Sequence, residues 1–473
     1  MQKTFVRKDV VQFLSEYSVP LMLGVIVALI MANAAPSTYA TLVEAPLLGI
    51  FESAPASSHD PSEAAMHSHG TVAESQLGQT EKLGGILGGL ASKPHEHATS
   101  SHAETAHHSW GHFLSLHFLI NDIFMVFFFG VAAKEITEAC LPGGALNPPS
   151  KAINPLCGTI GGVVGPIAAY FGLNMLFGQP AWTGGWGIPT ATDIALAWLV
   201  AKLVFGKGHP AISFLLLLAV ADDAIGLAII AFAYPDPAHP TEWLNALWIV
   251  PGMLAAFTMR RMQVRSWIPY IAIGGVLCWW GLFSAHLHPA LALVFVVPFI
   301  PGPDFDLGLY SESASGNSHD CSPLEQFEHA TRVYVDYGLF FFAFANAGVA
   351  LEGVSGLTGI VLLSLIVGKT LGISLFSAAA DSLGFALPSG MNRAHLIVAG
   401  MIAGVGLTVA LFVSGQAFTV AETQGAAKMG ALLSVFAAPL ALITALVLGV
   451  AKWRVEAPAV ELARARADWN RKA

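Results

Sequence analysis

Long, unbroken runs of apolar residues, separated by short stretches that hold most of the charge, dominate the chain. A helix rises 1.5 Å per residue, so about 20 apolar residues are needed to cross the hydrocarbon of a bilayer. On that measure the pattern predicts spans near 12–33, 114–134, 156–177, 186–205, 211–234, 244–258, 268–284, 288–301, 335–351, 357–380, 394–420 and 427–451. The runs are continuous rather than alternating, which excludes a transmembrane barrel of ten-residue strands. The expected fold is an all-α polytopic membrane protein with about 12 transmembrane helices, since helices satisfy their own backbone polar groups in lipid. The sixth and eighth runs are short, and tilt or partial burial is expected there.

Composition agrees with the pattern. The 473 residues are 55% hydrophobic and only 11% charged, against about 25% charged in ordinary soluble domains. Mean hydropathy is +0.63. The net charge of −9 says less than where the cations lie. With twelve spans, every lysine and arginine falls on the side of the two termini except Lys82, Lys93, Lys428 and the intraspan Lys369. The excess of positive charge on cytoplasmic loops then puts both termini in the cytoplasm. Cleavage after Ile30-Met-Ala-Asn-Ala-Ala35, read as a signal-peptide end, would leave eleven spans in the same orientation. Cys140, Cys157, Cys278 and Cys321 match no metal or redox spacing.

One stretch breaks the pattern. Residues 52–112 are Ser, Ala, Gly, Glu and His, and ten of the 17 histidines lie between His59 and His117. Such a composition does not bury a core, so the segment is expected to be an extracytoplasmic, mostly disordered insert. Imidazoles ligate Zn²⁺, Cu²⁺ or Ni²⁺ and titrate near neutrality, but these spacings fit no defined metal site, and a tolerated insert explains them as well. The chain therefore divides into a cytoplasmic N-terminus and first span (1–51), the insert (52–112), a membrane core (113–453) and a cytoplasmic tail (454–473).

Chemistry is concentrated in a few polar residues at membrane depth. Asp222 and Asp223 are adjacent within Phe214–Tyr234, an otherwise apolar run. A carboxylate at the centre of a span costs on the order of 2.5–3.5 kcal/mol by insertion scales unless it faces water, a cation or a partner. Helical neighbours point about 100° apart, so both can reach one cavity. Two like charges so close call for a shared cation or a proton, which is the requirement of an ion exchanger. Asp193 lies in Gly187-Ile-Pro-Thr-Ala-Thr-Asp-Ile-Ala195, where Pro189 and two threonines mark a broken helix with free carbonyls and hydroxyls. Lys369, in Val367-Gly-Lys-Thr-Leu-Gly-Ile373, needs a carboxylate partner. Ala403-Gly-Val-Gly-Leu-Thr-Val409 is a second interrupted span, with Gly404, Gly406 and Thr408 at the break. Each has a plainer reading too: Asp193 as a helix cap, Lys369 as a structural ion pair, and the glycines as close-packing positions. Asp122, at the mouth of the second span, reads as interfacial.

These residues resemble the bacterial NhaA-type sodium/proton antiporters. The matching stretches are Ile30-Met-Ala-Asn33, Ile188-Pro-Thr-Ala-Thr-Asp-Ile194, Ala221-Asp-Asp-Ala224, Phe342-Ala-Phe-Ala-Asn-Ala-Gly-Val349, Gly368-Lys-Thr-Leu-Gly-Ile373 and Gly404-Val-Gly-Leu-Thr408. They cover nearly all the chain outside the insert and the tail. The resemblance implies an inverted-repeat fold with two interrupted, crossing helices. It implies that Asp222 and Asp223 bind Na⁺ or Li⁺ and H⁺ in turn, with Thr192 and Asp193 at the crossing. Asp193 would offset positive helix ends, and Lys369 would offset negative ends and pair with Asp222. Antiporters of this kind that keep the lysine are electrogenic. Glu135, Glu328 and His329 match the family's cytoplasmic funnel, which is linked to activation by pH. After Glu135, however, the chain reads Ile-Thr-Glu-Ala, so the family's following basic residue has no counterpart and its second acid shifts to Glu138. The family's short extracytoplasmic hairpin, which supports a homodimer, lies where this chain has its insert.

No cofactor, enzymatic activity or nucleic-acid partner is expected; the partners are the transported ions and the lipid bilayer. Two other functions remain open on sequence. A transition-metal exporter fed by the histidines should show His or Cys in its spans, where this chain offers oxygen donors. An intramembrane aspartyl protease should show Tyr-Asp and Gly-x-Gly-Asp, where this chain has Thr192-Asp193, Ala221-Asp222 and a Gly404-Val-Gly406 that leads to Leu407.

Overall fold

The computed structural model describes residues 18–44, 115–142, 149–206, 208–234, 241–302 and 322–451. The expected insert 52–112 and tail 454–473 lie outside the described residues, as does the start of the first expected span. Among the described residues every regular element is helical and no strand occurs. Five helices are long and apolar enough to cross a membrane: α3 (Leu116–Ala139), α4 (Ala152–Phe177 within the helix Pro149–Phe177), α6 (Pro210–Ala233), α10 (Gly356–Ser382) and α13 (Ala421–Val447). Two bent pairs raise the number to seven. One is a 3-10 segment, Pro180–Thr190, followed by α5 (Ile194–Phe205), and the other is α11 (Arg393–Ala403) followed by α12 (Thr408–Ala417). Shorter apolar elements are α1 (Val19–Ala34), α8 (Tyr270–Ser284) and the 3-10 stretch Pro289–Phe299. The remaining helices of more than four residues are α2 (Pro36–Glu44), α7 (Ile249–Arg261) and α9 (Pro323–Asn346).

Several expected boundaries move, each for a local reason. The ninth span was expected over 335–351, but α9 begins at Pro323 and ends at Asn346. Its start is fixed by Pro323 at N1 and by a capping box, in which Ser322 Oγ accepts from Glu325 N and Ser322 N donates to Glu325 Oε2. The charged first half of α9 hides that start from a hydropathy reading. Residues 347–350 leave the helix, held by Asn33: its Nδ2 donates to Val349 O (3.0 Å) and its Oδ1 accepts from Leu351 N (2.9 Å). The eighth expected span, 288–301, is 3-10 rather than α-helical over Pro289–Phe295.

Two features locate the centre of the bundle. In α6, 67% of the most apolar stretch is buried inside the protein, against 39–44% in the other four long helices. Of the five long helices, the carrier of Asp222 and Asp223 is thus the most deeply buried. Beside it, α4 and α10 meet along a seam of glycines, Gly161 and Gly165 facing Gly368 and Gly372. A Cβ at Gly161 or Gly372 would overlap the backbone of the other helix. This is the small-xxx-small contact that lets membrane helices pack backbone to backbone. The close approach sets the depth and direction from which Lys369 of α10 reaches α6.

Because the seam has no room for a side chain, Gly372→Val is expected to destabilise by about 1–3 kcal/mol or more, as overpacked cores do. The check is the melting temperature of the detergent-purified protein, and an unchanged value would refute a close-packed α4–α10 contact.

Candidate functional site

Both bent pairs break at mid-chain polar sequence and meet at their breaks. The 3-10 segment and α5 are bent by 59°, and α11 and α12 by 53°. Ala191 is extended, and Asp193 caps α5 by accepting from Leu196 N at 3.1 Å. At the other break, Gly406 lies against the Ala191 carbonyl and the Leu365 side chain, so a Cβ there would clash. The backbone groups released by the two breaks satisfy each other and nearby side chains. Asp193 N donates to Val405 O (2.8 Å), Thr192 Oγ1 to Ala403 O (3.0 Å), and Gly406 N to Ser434 Oγ (3.1 Å). In the 3-10 segment, Gly187 N donates to Tyr234 Oη (2.7 Å), and that hydroxyl donates to Gly184 O. Without such partners each exposed amide or carbonyl at this depth would cost several kcal/mol.

Asp193 stands at two helix N-termini at once. It caps its own α5, and the hydroxyl and N–H of Thr408, at the start of α12, face its carboxylate. A negative group there offsets both positive helix ends. The break also brings Thr192 to α6. Asp222, 0% exposed, accepts at Oδ2 from Lys369 Nζ (2.5 Å) and shares with Ala403 O the single proton of the Thr192 hydroxyl, whose Oγ1 lies 2.8 Å away. Lys369, also 0% exposed, contacts Thr192 Oγ1 as well, at 2.6 Å. Asp222, Lys369 and Thr192 therefore form one closed triangle at the crossing.

Asp223 looks elsewhere. It lines a small cavity with Phe128, Phe129 and Ala132 of α3, Leu227 of α6 and Val409 of α12. Neither Asp222 Oδ1 nor Asp223 Oδ1 has a hydrogen-bond partner among the described residues. The adjacent carboxylates thus have different surroundings, one tied to a cation and a hydroxyl and the other opening on a cavity. Oxygen donors of this kind suit a hard cation such as Na⁺ rather than a soft one.

Further along α3, one turn from Ala132, lies Glu135, half-buried. Beside it Lys134 bridges two acids, Glu138 at 2.6 Å and Glu328 of α9 at 2.5 Å, and Arg332 adds a contact to Glu328 at 3.3 Å. His329 is exposed and lies outside these contacts. The structure thus brings Glu135 and Glu328 into one neighbourhood but leaves His329 on the surface.

Residues 90–448 match the family model described as Na⁺/H⁺ antiporter 1. Similar proteins named Na(+)/H(+) antiporter NhaA occur in several bacteria. That of Geotalea uraniireducens is 56% identical over 341 residues, 72% of this chain and 87% of the relative. That of Geobacter metallireducens is 48% identical over 440 residues, 93% and 98%. That of Desulfitobacterium hafniense is 47% identical over 447 residues, 94% and 98%. The chain belongs to the Na⁺/H⁺ antiporter 1 family.

In this antiporter, sequence reasoning missed the groups that act through the backbone or from a shifted position. Tyr234 and Ser434 look like ordinary polar residues in apolar helices, and only the three-dimensional crossing shows that they hold loose N–H groups. Lys134 had a signal, its i,i+4 spacing to Glu138. It precedes Glu135 and supplies positive charge at the place where a basic residue was expected after it. Lys134 and Glu328 are expected to be energetically coupled: a cycle of Lys134→Met, Glu328→Gln and the double variant should give an interaction of about 0.5–3 kcal/mol in thermal stability. Additive effects would show that the α3–α9 ion pair carries no stability.

Proposed function

We infer that this antiporter exchanges Na⁺ for H⁺ across its membrane, using the Asp222–Asp223 pair as the one site for which the two ions compete. One observation carries the reading: in a chain of this family, two adjacent carboxylates sit at the crossing of two bent spans, one of them paired to a buried lysine. Na⁺ entering between the carboxylates competes with Lys369 for Asp222 and with a proton for Asp223. Binding either cargo removes the reason for holding the other, and alternating exposure of the site to the two sides turns that competition into exchange. Thr192 orients Asp222, and Asp193 and Lys369 balance the helix ends that meet at the crossing. Lys369, charged when the site is empty, gives up a proton when Na⁺ takes its place on Asp222, so that with the proton of Asp223 two protons leave per Na⁺, which makes the exchange electrogenic.

The wider architecture proposed is twelve spans in an inverted repeat. It is supported by the recurrence of span, bent pair and span in α4 to α6 and again in α10 to α13, and by the short apolar elements that fill the count. The distribution of lysine and arginine favours cytoplasmic termini in the bacterial inner membrane, with 1–51 leading in, 52–112 outside, 113–453 as the transport core and 454–473 as a tail. The cluster of Glu135, Lys134, Glu138 and Glu328 is the proposed origin of pH dependence, His329 being a surface residue beside it. The sequence resemblance also favours Li⁺ as a second cargo and a homodimer. A transition-metal cargo gains nothing from the site, whose donors are oxygens, nor from relatives named for Na⁺ and H⁺.

The test is cation-induced proton movement in everted membrane vesicles, scanned across pH with Na⁺, Li⁺, K⁺ and Zn²⁺. Na⁺ and Li⁺ are expected to drive proton movement, and K⁺ and Zn²⁺ are not. Asp222→Asn and Asp223→Asn are each expected to abolish the response in membranes that still contain the protein. Na⁺-dependent proton release at the wild-type level from either variant would sink the assignment of the site.

A further inference from the structure

Oδ1 of Asp222, the oxygen turned away from Lys369, faces α4, lying 3.9 Å from where a Cβ on Gly162 would sit. One and two helical turns from Gly162 on the same face are Gly158 and Asn154. Opposite them on α10, at the same four-residue spacing, are Lys369, Ile373 and Ser377. Ser377 Oγ rests against Gly158, and Asn154 Nδ2 donates to Ser377 O (3.1 Å) and to Phe385 O (2.7 Å). Thr159 adds a third polar side chain, donating to Pro155 O (3.1 Å) and towards Leu218 O (3.4 Å), a carbonyl one turn before Asp222. Asn154, Thr159 and Ser377 are 2%, 1% and 0% exposed. Ser377 Oγ and Asn154 Oδ1 have no hydrogen-bond partner among the described residues.

Stapling the end of α10 explains the amide N–H groups of Asn154. It does not explain the free Oδ1, the free hydroxyl of Ser377, or a threonine buried at the same level. Buried polar atoms in native proteins are nearly always satisfied by protein or by ordered water. Two such groups in the α4–α10 interface, with the Thr159 hydroxyl beside them on the α6 side of α4, lead towards the free oxygen of a carboxyl that must gain and lose a proton, and together they make a path. Ile373, Leu218 and Phe214, all buried, line the stretch between this group and Asp222.

We propose that Asn154, Thr159 and Ser377 form a hydrated proton relay between Asp222 and the end of the bundle that carries Lys134, Lys202 and Arg393. The proposal rests on the antiport reading above. The relay is separate from the cavity at Asp223, which is lined by α3 and α12. The glycine seam of α4 and α10 is too tight for a hydrated cation, whereas a proton needs only hydrogen-bonded oxygens. When Na⁺ displaces Lys369, an N–H bond of its ammonium breaks as Asp222 takes the proton, and the O–H bond so formed on Asp222 breaks in turn as a water takes that proton. That water passes a different proton on, so one proton leaves and every relay oxygen ends as it began.

The measurement is Na⁺-driven proton exchange by the purified protein in liposomes, in H₂O and in D₂O, for wild type, Thr159→Val, Ser377→Ala, the double variant and Thr159→Ser. Thr159→Val keeps the shape of the side chain and removes only its hydroxyl. The double variant is expected to exchange about tenfold more slowly, equal to about 1.4 kcal/mol of barrier. The Na⁺ concentration for half-maximal rate should not change, and the D₂O effect should grow. Thr159→Ser, which keeps the hydroxyl, should restore the rate. The single variants are read in the same way, so instability of the double does not decide the matter. Wild-type rates in the variants would overturn the relay, as would slower exchange with a lower melting temperature and an unchanged D₂O effect. If wild type itself moves no protons with Na⁺, the antiport reading fails, and that result is distinct from a failure of the relay.

Discussion

A helix broken inside a membrane leaves amide and carbonyl groups with no water to bind, and the rest of this structure follows from how that problem is solved. Two spans are broken, and each is placed so that its loose groups meet those of the other. The bond from Asp193 N to Val405 O is the direct form of this exchange. Thr192 on Ala403 O, Ser434 on Gly406 N and Tyr234 on Gly187 N complete it. The arrangement leaves helix ends pointing at one point in the core, which is where an ion can be held without a dedicated cage of charged residues.

Holding Lys369 on Asp222 at that point is costly, and stability alone does not account for it. Replacing a fully buried ion pair by apolar residues is often neutral or stabilising, while removing one partner strands the other. The glycine seam between α4 and α10 shows how much of the fold serves the pair, since two backbones are brought into contact to fix the lysine. The free oxygen of Asp222 points the same way. A structural ion pair would gain by satisfying both carboxylate oxygens, whereas a group that exchanges its proton needs one left open.

Much of this was legible in the sequence because the informative residues are expensive where they sit. Acids and a lysine within apolar runs, and proline or paired glycines within spans, have few explanations in lipid, so Asp222, Asp223, Lys369 and the breaks at 191–193 and 404–407 stood out. What stayed hidden obeys a different physics. The start of α9 is written in a capping box and an N1 proline, local signals that a hydropathy window averages away beneath Glu325, Glu328 and Arg332. The 3-10 form of Pro289–Phe295 depends on packing against α3 and α8. Lys134 was read as one more positive residue on a loop side, because its partner on α9 lies far away in the chain. Glu328 was found with His329 as a pair, but helical geometry turns neighbours apart, and only the glutamate faces inward.

The same geometry explains why the two aspartates are adjacent rather than four residues apart. At i and i+4 both would lie on one face, with the same neighbours and the same access. Adjacent positions differ by about 100°. Asp222 thereby meets Lys369 and Thr192 on the side of α4 and α10, while Asp223 meets the cavity beside α3. Two identical carboxyl groups acquire unequal partners without any difference in their own chemistry. In the proposed exchange that inequality is useful: one carboxylate is held ready by a cation of the protein, and the other stays open to a cation from solution. A pair in equivalent surroundings would have no such preference for where the ion enters and which proton leaves.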